Sequence, residues 1–411
     1  MSVYRIAGIE VHKKMLAVVV ADVAGEGEYV FERRQFGATP GELDKLTDWL
    51  TGLEVKEAVM ESTAQYWKPV WRKLEGKYRL HLAQAQSNRA PRGRKEDFRD
   101  AERLVRRQVA GELILSFVPD PEQRLWRTVT HTKLQLTRDK VRLTNQLEAL
   151  LEDCRIKLSG FVSQLLGASS RRMLKALAEG ETDAARLAAL TDAGLRATPV
   201  QLPDALAAAA TLDPARRGLI RLTLQRLELM EKQIAQLDTM IAKLLHEPSE
   251  AVLRLTEIPG VGVDSAQQII AEVGPDAAVF PSSQQMASWV GVCPGRQESA
   301  AVSKSDRSPK GNRAMRRILA QCANAAVRAK GSAFEVFYRR IVPRLGHNKA
   351  IRALAHRLCR IAWKVLRQHL RYREIGPRPN LEAVRKRASR LATQLRQLGY
   401  QVTPPHTEAI S

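Results

Sequence analysis

Apolar residues run almost unbroken through Val3 to Val11 and Met15 to Val23, both rich in Val and Ile. Short apolar runs of this kind, separated by a polar turn, predict two paired strands. A turn in AGEGE at Ala24 to Glu28 leads into a third predicted strand, Tyr29 to Phe36. The pattern then changes period. A capped helix is predicted from Pro40 to about Leu53, a strand in EAVMES, an aromatic helix over Tyr66 to Leu74, a strand in YRLHLAQA, and a helix over Asp97 to Val109. Glu10 stands inside the first strand among Ile6, Ile9 and Val11. A carboxylate there is costly unless it is paired or binds a cation.

Beyond about Glu122 strand signals disappear. Leu143, Leu147, Leu150 and Cys154 recur at 4-3-4, and Leu227, Met230, Ile234, Leu237, Ile241 and Leu244 at 3-4-3-4-3. Such seams predict two long helices paired as a coiled coil, serving as packing, spacer or dimer contact. An Ala-rich stretch, Ala176 to Ala210, lies between them. From about Ser249 a second globular part begins, with helix, glycine turn and helix in Leu255 to Gly274, a polar loop from Arg296 to Asn312, and helices resuming at Ala314. The chain thus divides at 1–121, 122–248, 249–345 and a basic helical extension at 346–411. The fold class is α/β plus all-α. The opening order β-β-β-α-β-α-β-α resembles the ribonuclease H type of mixed sheet flanked by helices.

Charge sharpens this picture. The 411 residues carry 66 Lys and Arg against 44 Asp and Glu, a formal net charge of +22. An excess of that size points to a polyanionic partner, nucleic acid above all. The four cysteines, Cys154, Cys293, Cys322 and Cys359, form no C-x-x-C pair, which argues against a zinc knuckle and for a reducing compartment. There is no signal-peptide pattern and no run long enough to span a bilayer, so the expectation is a cytoplasmic, nucleoid-associated protein of bacterial type.

Three groups of residues could carry chemistry. Glu10, Glu61, Asp97 and Asp100 form the first; Asp97 and Asp100 are three apart and share a helix face. That face is either a solvated one, beside Arg94, Lys95 and Arg99, or, taken with the two strand acids, part of an oxygen-ligand set for Mg²⁺ or Mn²⁺. The second is Gly260 and Gly262 in IPGVGV, where a tight turn at a helix N-terminus could hold a phosphate, or simply pack two helices. The third is the loop with Ser299, Ser303, Ser305 and Ser308 among Lys304, Arg307, Lys310, Arg313, Arg316 and Arg317. It could supply a serine nucleophile with cations to stabilise a pentacovalent phosphorane, or grip backbone phosphates without chemistry. Trp67, Trp71, Trp126, Trp289 and Trp363 could stack on bases, though core packing suits most of them.

Taken in order, GIEVHKK, AVMESTAQYWKPVW, GRKEDFRDAERL, IPGVGVDSAQQIIAEVG, FPSSQQMASWVGVCPG and ESAAVSKSDRSPKGNRAMRRIL resemble the DEDD-type transposases of the insertion sequence one-ten family, recombinases guided by a bridge RNA. The resemblance runs from about Arg5 to Arg367, and several motifs in order are far more specific than any one. It implies a RuvC-like, ribonuclease H-like domain, a coiled coil and a mainly helical C-terminal transposase domain. It also implies that Glu10, Glu61, Asp97 and Asp100 are the metal-binding acids and that Ser299, in ESA, is the nucleophile that forms a phosphoserine link to DNA. By the same resemblance the acids of one subunit and the serine of another form a composite centre, and a structured non-coding RNA pairs with donor and target DNA. The chain departs from the family pattern at Glu10, where Asp is usual, and at Ala301 and Val302, where Gly and Lys are usual.

The expected function is therefore strand cleavage and exchange by a homo-oligomer, dimer or tetramer, on donor and target DNA, with no membrane role. Two alternatives stay open at this level: a metal-dependent junction nuclease using water, and a non-catalytic nucleic-acid-binding relative.

Overall fold

The computed structural model describes residues 4–23, 29–62, 64–85, 96–192, 200–246, 249–295, 297–299, 302–305, 308, 310–374, and 389, 390, 392, 393 and 396. The chain forms two compact units, Met1–Asp120 and Pro121–Ser411.

The first unit is built on a five-stranded sheet in the order β3-β2-β1-β4-β5. Its strands are β1 (Arg5–Val11), β2 (Met15–Asp22), β3 (Val30–Gly37), β4 (Glu57–Glu61) and β5 (Arg79–Ala83). β2 runs antiparallel to β1 and β3, while β4 is parallel to β1 and β5. Central β1 and its neighbour β2 are buried on both faces, which is why their apolar runs do not alternate. β3 is an edge, and its exposed Glu32, Arg33, Arg34 and Gln35 discourage pairing with a further strand. Helices α1 (Pro40–Gly52) and α2 (Trp67–Leu74) cover one face through Leu43, Leu46, Leu50, Val70, Trp71 and Leu74. Helix α3 (Asp97–Val109) covers the other through Ala101, Leu104 and Val105, packed on Ile6, Val19 and Val59. Gly8 allows this contact: a Cβ there would stand 2.3 Å from the Ala101 carbonyl oxygen and 2.7 Å from a Val105 methyl.

Among its described residues the second unit is helical apart from one hairpin. Its spine is α4 (Pro121–Asp153) and α8 (Pro214–Leu244). Trp126 and Val129, early in α4, share a core with Ile241 and Leu245 at the far end of α8. Leu143, Leu147 and Leu151, late in α4, share another with Ile220, Leu224 and Leu227 near the start of α8. The two helices are therefore antiparallel partners within one chain. Their middles are held by ion pairs of Lys133 with Asp238 and of Lys140 with Glu231, and Ile234 there is only half-buried. Leu151 rather than Leu150 is fully buried, because an untwisted helix follows a period of 3.6 and drifts off a heptad. Helices α5 (Ala168–Glu179), α6 (Ala184–Ala189) and α7 (Gln201–Leu206) pack on the Leu147 end of this spine.

At its other end gather α9 (Ser249–Thr256), α10 (Val263–Val273), α11 (Ser283–Val290), α12 (Arg313–Ala326) and α13 (Ala333–Arg367); between α11 and α12 in the chain lie the hairpin strands β6 (Gln297–Ser299) and β7 (Val302–Ser305). α13 breaks at Gly346, whose φ of 72° lies in the left-handed region, three residues after Pro343. Trp71 and Trp126 are core residues, and Trp363 donates its indole N–H to the Phe280 carbonyl at 2.8 Å. No helix among the described residues is long and apolar enough to cross a membrane.

Candidate active site

Parallel pairing of β1 with β4 sets Ile9 opposite Met60. Glu10, next to last in β1, and Glu61, last in β4, therefore stand side by side near the strand ends. Side chains alternate along a strand, so Glu10 shares the face of Gly8, and Glu61 that of Val59. This is the face that α3 covers. On α3, Asp97 lies four residues before Ala101, and Asp100 four before Leu104, so both acids extend the helix's buried stripe past the sheet. His12, in the turn after β1, ties the pieces together: its Nε2 stands 3.0 Å from an Asp97 oxygen. Asp100 pairs with Arg103 at 3.2 Å. Glu10 and Glu61 thus lie near the carboxyl ends of two parallel strands, where open α/β sheets bind their ligands, and His12 brings Asp97 beside the first of them.

Glu10 is 2% exposed, whereas Asp97 keeps 39% of its side chain in solvent. Among the described residues no three acidic, imidazole or thiol groups converge closely enough to hold a metal ion. The donor set suits a hard divalent cation, since carboxylate oxygens are the ligands Mg²⁺ and Mn²⁺ take. Arg94 and Lys95 lie outside the described residues. Glu57, at the opposite end of β4, is also buried. It accepts from Gln108 at 3.0 Å, lies 2.8 Å from His81, and hydrogen-bonds Tyr4, so it is satisfied within the unit.

In the second unit Ser299 is the last residue of β6, paired with Val302 of β7 at the tip of the hairpin. The register slips between Gln297 and Glu298, a bulge of the kind that re-aims a strand end. Lys304 lies on β7, and Arg307 falls outside the described residues. Lys310 and Arg313 are exposed, while Arg316 and Arg317 are half-buried. Burial and the nearby Arg138 lower the pKa of Arg317, which remains cationic nonetheless.

The chain leaving this loop is anchored twice. Gly311 sits so close beneath α11 that a Cβ would stand 2.4 Å from the Val290 carbonyl oxygen. Asn312 caps α12 by accepting from the Met315 N–H at 2.9 Å, and it donates to Glu272 at 2.7 Å. Glu272 is buried and lies 2.5 Å from His131 Nε2 and 3.6 Å from Arg127. Burial alone would raise its pKa, but the His131 hydrogen bond, the Arg127 and His131 charges and the Asn312 amide hold it below the usual glutamate value. The sequence reading missed this group; its signal was a lone acid in the apolar stretch IIAEVG.

The two turn glycines separate in role. Gly260, with φ of 86°, lies against α12, where a Cβ would come 2.4 Å from the Cys322 carbonyl oxygen. Gly262 is exposed, with open space around it, and caps α10. The first turn of α10 already carries Asp264, which pairs with Lys133 and accepts from Gln268 at 2.6 Å. That carboxylate answers part of the positive helix end an incoming phosphate would use.

A mixed sheet with acids at its parallel strand ends, followed by a basic serine hairpin on helices, marks a protein that handles nucleic acid. Comparison with known proteins narrows the class. Residues 7–156 match a DEDD transposase model of the IS110 group, and residues 252–339 match the model of the IS116/IS110/IS902 transposase family. Both models describe insertion-sequence transposases of the IS110 type, and that is the class of protein the matches support. It is 25% identical over 376 residues to a Pseudomonas aeruginosa protein named "Probable family 20 transposase", covering 89% of this chain and 98% of that one. It is 31% identical over 136 residues to the transposase for insertion sequence element IS1111A of Coxiella burnetii, covering 32% of this chain and 37% of that one.

Proposed function

We propose that this protein is an RNA-guided DNA recombinase that moves an insertion sequence by way of a phosphoserine intermediate. The observation that carries the reading is the ordered match to both transposase family models, with Glu10 and Glu61 on neighbouring parallel strands in one and Ser299 ending β6 in the other. Glu10, Glu61, Asp97 and Asp100 would hold a divalent cation, Mg²⁺ or Mn²⁺. When bound, that ion supplies Lewis-acid stabilisation of charge on phosphoryl oxygens. The Ser299 hydroxyl attacks a backbone phosphorus: a Ser Oγ–P bond forms, one P–O bond of the strand breaks, the hydroxyl proton passes to solvent, and the released strand end takes up a proton. Attack on the phosphoserine by the hydroxyl end of a second strand then rejoins DNA and frees Ser299. Lys310, Arg313, Arg316 and Arg317 would stabilise the extra negative charge of the phosphorane.

The protein has a ribonuclease H-like, RuvC-like catalytic part, works as a homo-oligomer on donor and target DNA, and takes its target choice from a structured non-coding RNA, so that base pairing rather than side chains reads sequence. The test is to incubate protein, copurifying RNA and DNA, denature, and resolve covalent protein–DNA adducts. Wild type should form one and Ser299→Ala none. An adduct that survives Ser299→Ala removes the nucleophile assignment, and free 5′-phosphate ends without an adduct point to a water-using nuclease.

A further inference from the structure

We infer that the groove in the angle of α13 is a binding track for a single strand of the DNA on which this protein acts, an inference that rests on its reading as a DNA recombinase. The groove has a volume of about 920 Å³, with Phe337 and Leu345 on the segment before the Gly346 break and Lys349, Arg352, His356, Arg360 and Lys364 on the segment after it. Those five positions recur at 3-4-4-4 and so form one face of the helix. A solvated helix face ordinarily mixes acids with bases. Here the chain has no Asp or Glu from residue 336 to 373. Among the described residues no carboxylate pairs with Lys349, Arg352, Arg360 or Lys364; Arg360 donates only to the Ser283 hydroxyl, at 3.4 Å. An uncompensated stripe of cations along a concave wall is what a phosphodiester backbone neutralises.

The wall also has an aromatic element. The half-buried Phe337 ring has the guanidinium carbons of Arg340 and Arg357 5.6 and 5.2 Å from its centroid. An aromatic face among cations offers stacking to an unpaired base, whereas a duplex keeps its base faces covered, so the ligand is a single strand. Burial and the adjacent Arg360 lower the His356 pKa, so at pH 7 it offers hydrogen bonds rather than charge. A second cleft of about 310 Å³, lined by Arg313, Arg316 and Arg317, shares Val292, Ser308 and Arg352 with the groove. Ser308, three residues after β7 in the sequence, lines both clefts, so they form one basic path that meets the chain just after the Ser299 hairpin. That continuity selects the DNA strand that Ser299 attacks. The second segment of α13 lies past residue 339, where the family match ends.

The test is fluorescence anisotropy of the full-length protein with labelled oligo-dT and oligo-U of equal length, over a salt series. Lys349→Ala/Arg352→Ala/Lys364→Ala removes three exposed cations from the groove. Arg226→Ala/Lys232→Ala/Lys243→Ala removes three exposed cations from α8 and is the charge-matched control. The groove variant should bind oligo-dT at least ~10-fold more weakly, with a salt slope shallower by about 2, at roughly 0.7 per lost phosphate contact; the control should stay close to wild type. Equal losses in both variants, or a loss confined to oligo-U, overturn the proposal. Phe337→Leu gives a second readout: its affinity for oligo-dT should fall towards that for an abasic strand, and an unchanged preference for bases counts against the track. Absence of a covalent adduct from the wild-type protein, alongside a selective groove effect, would sink the recombinase reading and leave the track standing.

Discussion

Glu10 is a carboxylate on a central strand, 2% exposed, facing the helix that brings Asp97 and Asp100. Its extra methylene relative to Asp carries the oxygens further from β1. As a ligand it should be indispensable: outer-shell partners of metal ligands are worth roughly 10- to 100-fold, so Glu10→Ala should lower DNA cleavage by about 100-fold or more, while Glu10→Asp retains it. Calorimetric titration of Mn²⁺ alongside strand cleavage reads both; an Ala variant equal to wild type in each removes Glu10 from the site. Glu272 presents a different case. Its folded carboxyl releases its proton at lower pH than the unfolded one, so its contribution is present above the unfolded value of about 4.3 and is lost as pH falls through the folded value. Glu272→Gln should be less stable than wild type at pH 7, by ~2 kcal/mol, and the gap should narrow on acidification. Thermal melts at stepped pH decide this, and a gap that widens in acid contradicts the sign.

Elements meet through a few backbone approaches. Gly8 seats α3, the helix that carries Asp97 and Asp100, directly on β1. Gly8→Ala should push the helix away, costing about 1–3 kcal/mol of stability and lowering cleavage at the same time. Thermal denaturation checks the first and a cleavage assay the second; an unchanged midpoint would mean α3 does not press on β1. In the second unit Gly311 and Asn312 do the corresponding work, pinning the exit of the serine loop to α11 and, through Glu272, to α10 and α4. Strand and helix types were readable before the structure, including the start of α3 at Asp97 and its end at Val109, because period 2 and period 3.6 are local properties. The seams predicted that the two long helices pair, as packing, spacer or dimer contact, but not their direction; the structure shows α4 and α8 closing on each other antiparallel within one chain.

For the whole molecule, a net charge of +22 sets the scale of its interactions. If six to ten phosphates are contacted, DNA affinity should fall by roughly 10³ to 10⁵ between about 50 and 200 mM salt. A flat salt response would remove the electrostatic account of binding. By itself the sequence determined the charge, the order of strands and helices, and the motif series that identifies the family, because each depends only on residues near one another in the chain. The tertiary structure alone decided that β1 and β4 pair in parallel and bring Glu10 beside Glu61, that Gly260 is spent on packing while Gly262 stays open, that Glu272 anchors the serine loop, and that a cation stripe on α13 faces a groove. Those facts join positions tens to hundreds of residues apart. Such pairings follow from how apolar faces close on one another, a property of the packed chain that local pattern does not record.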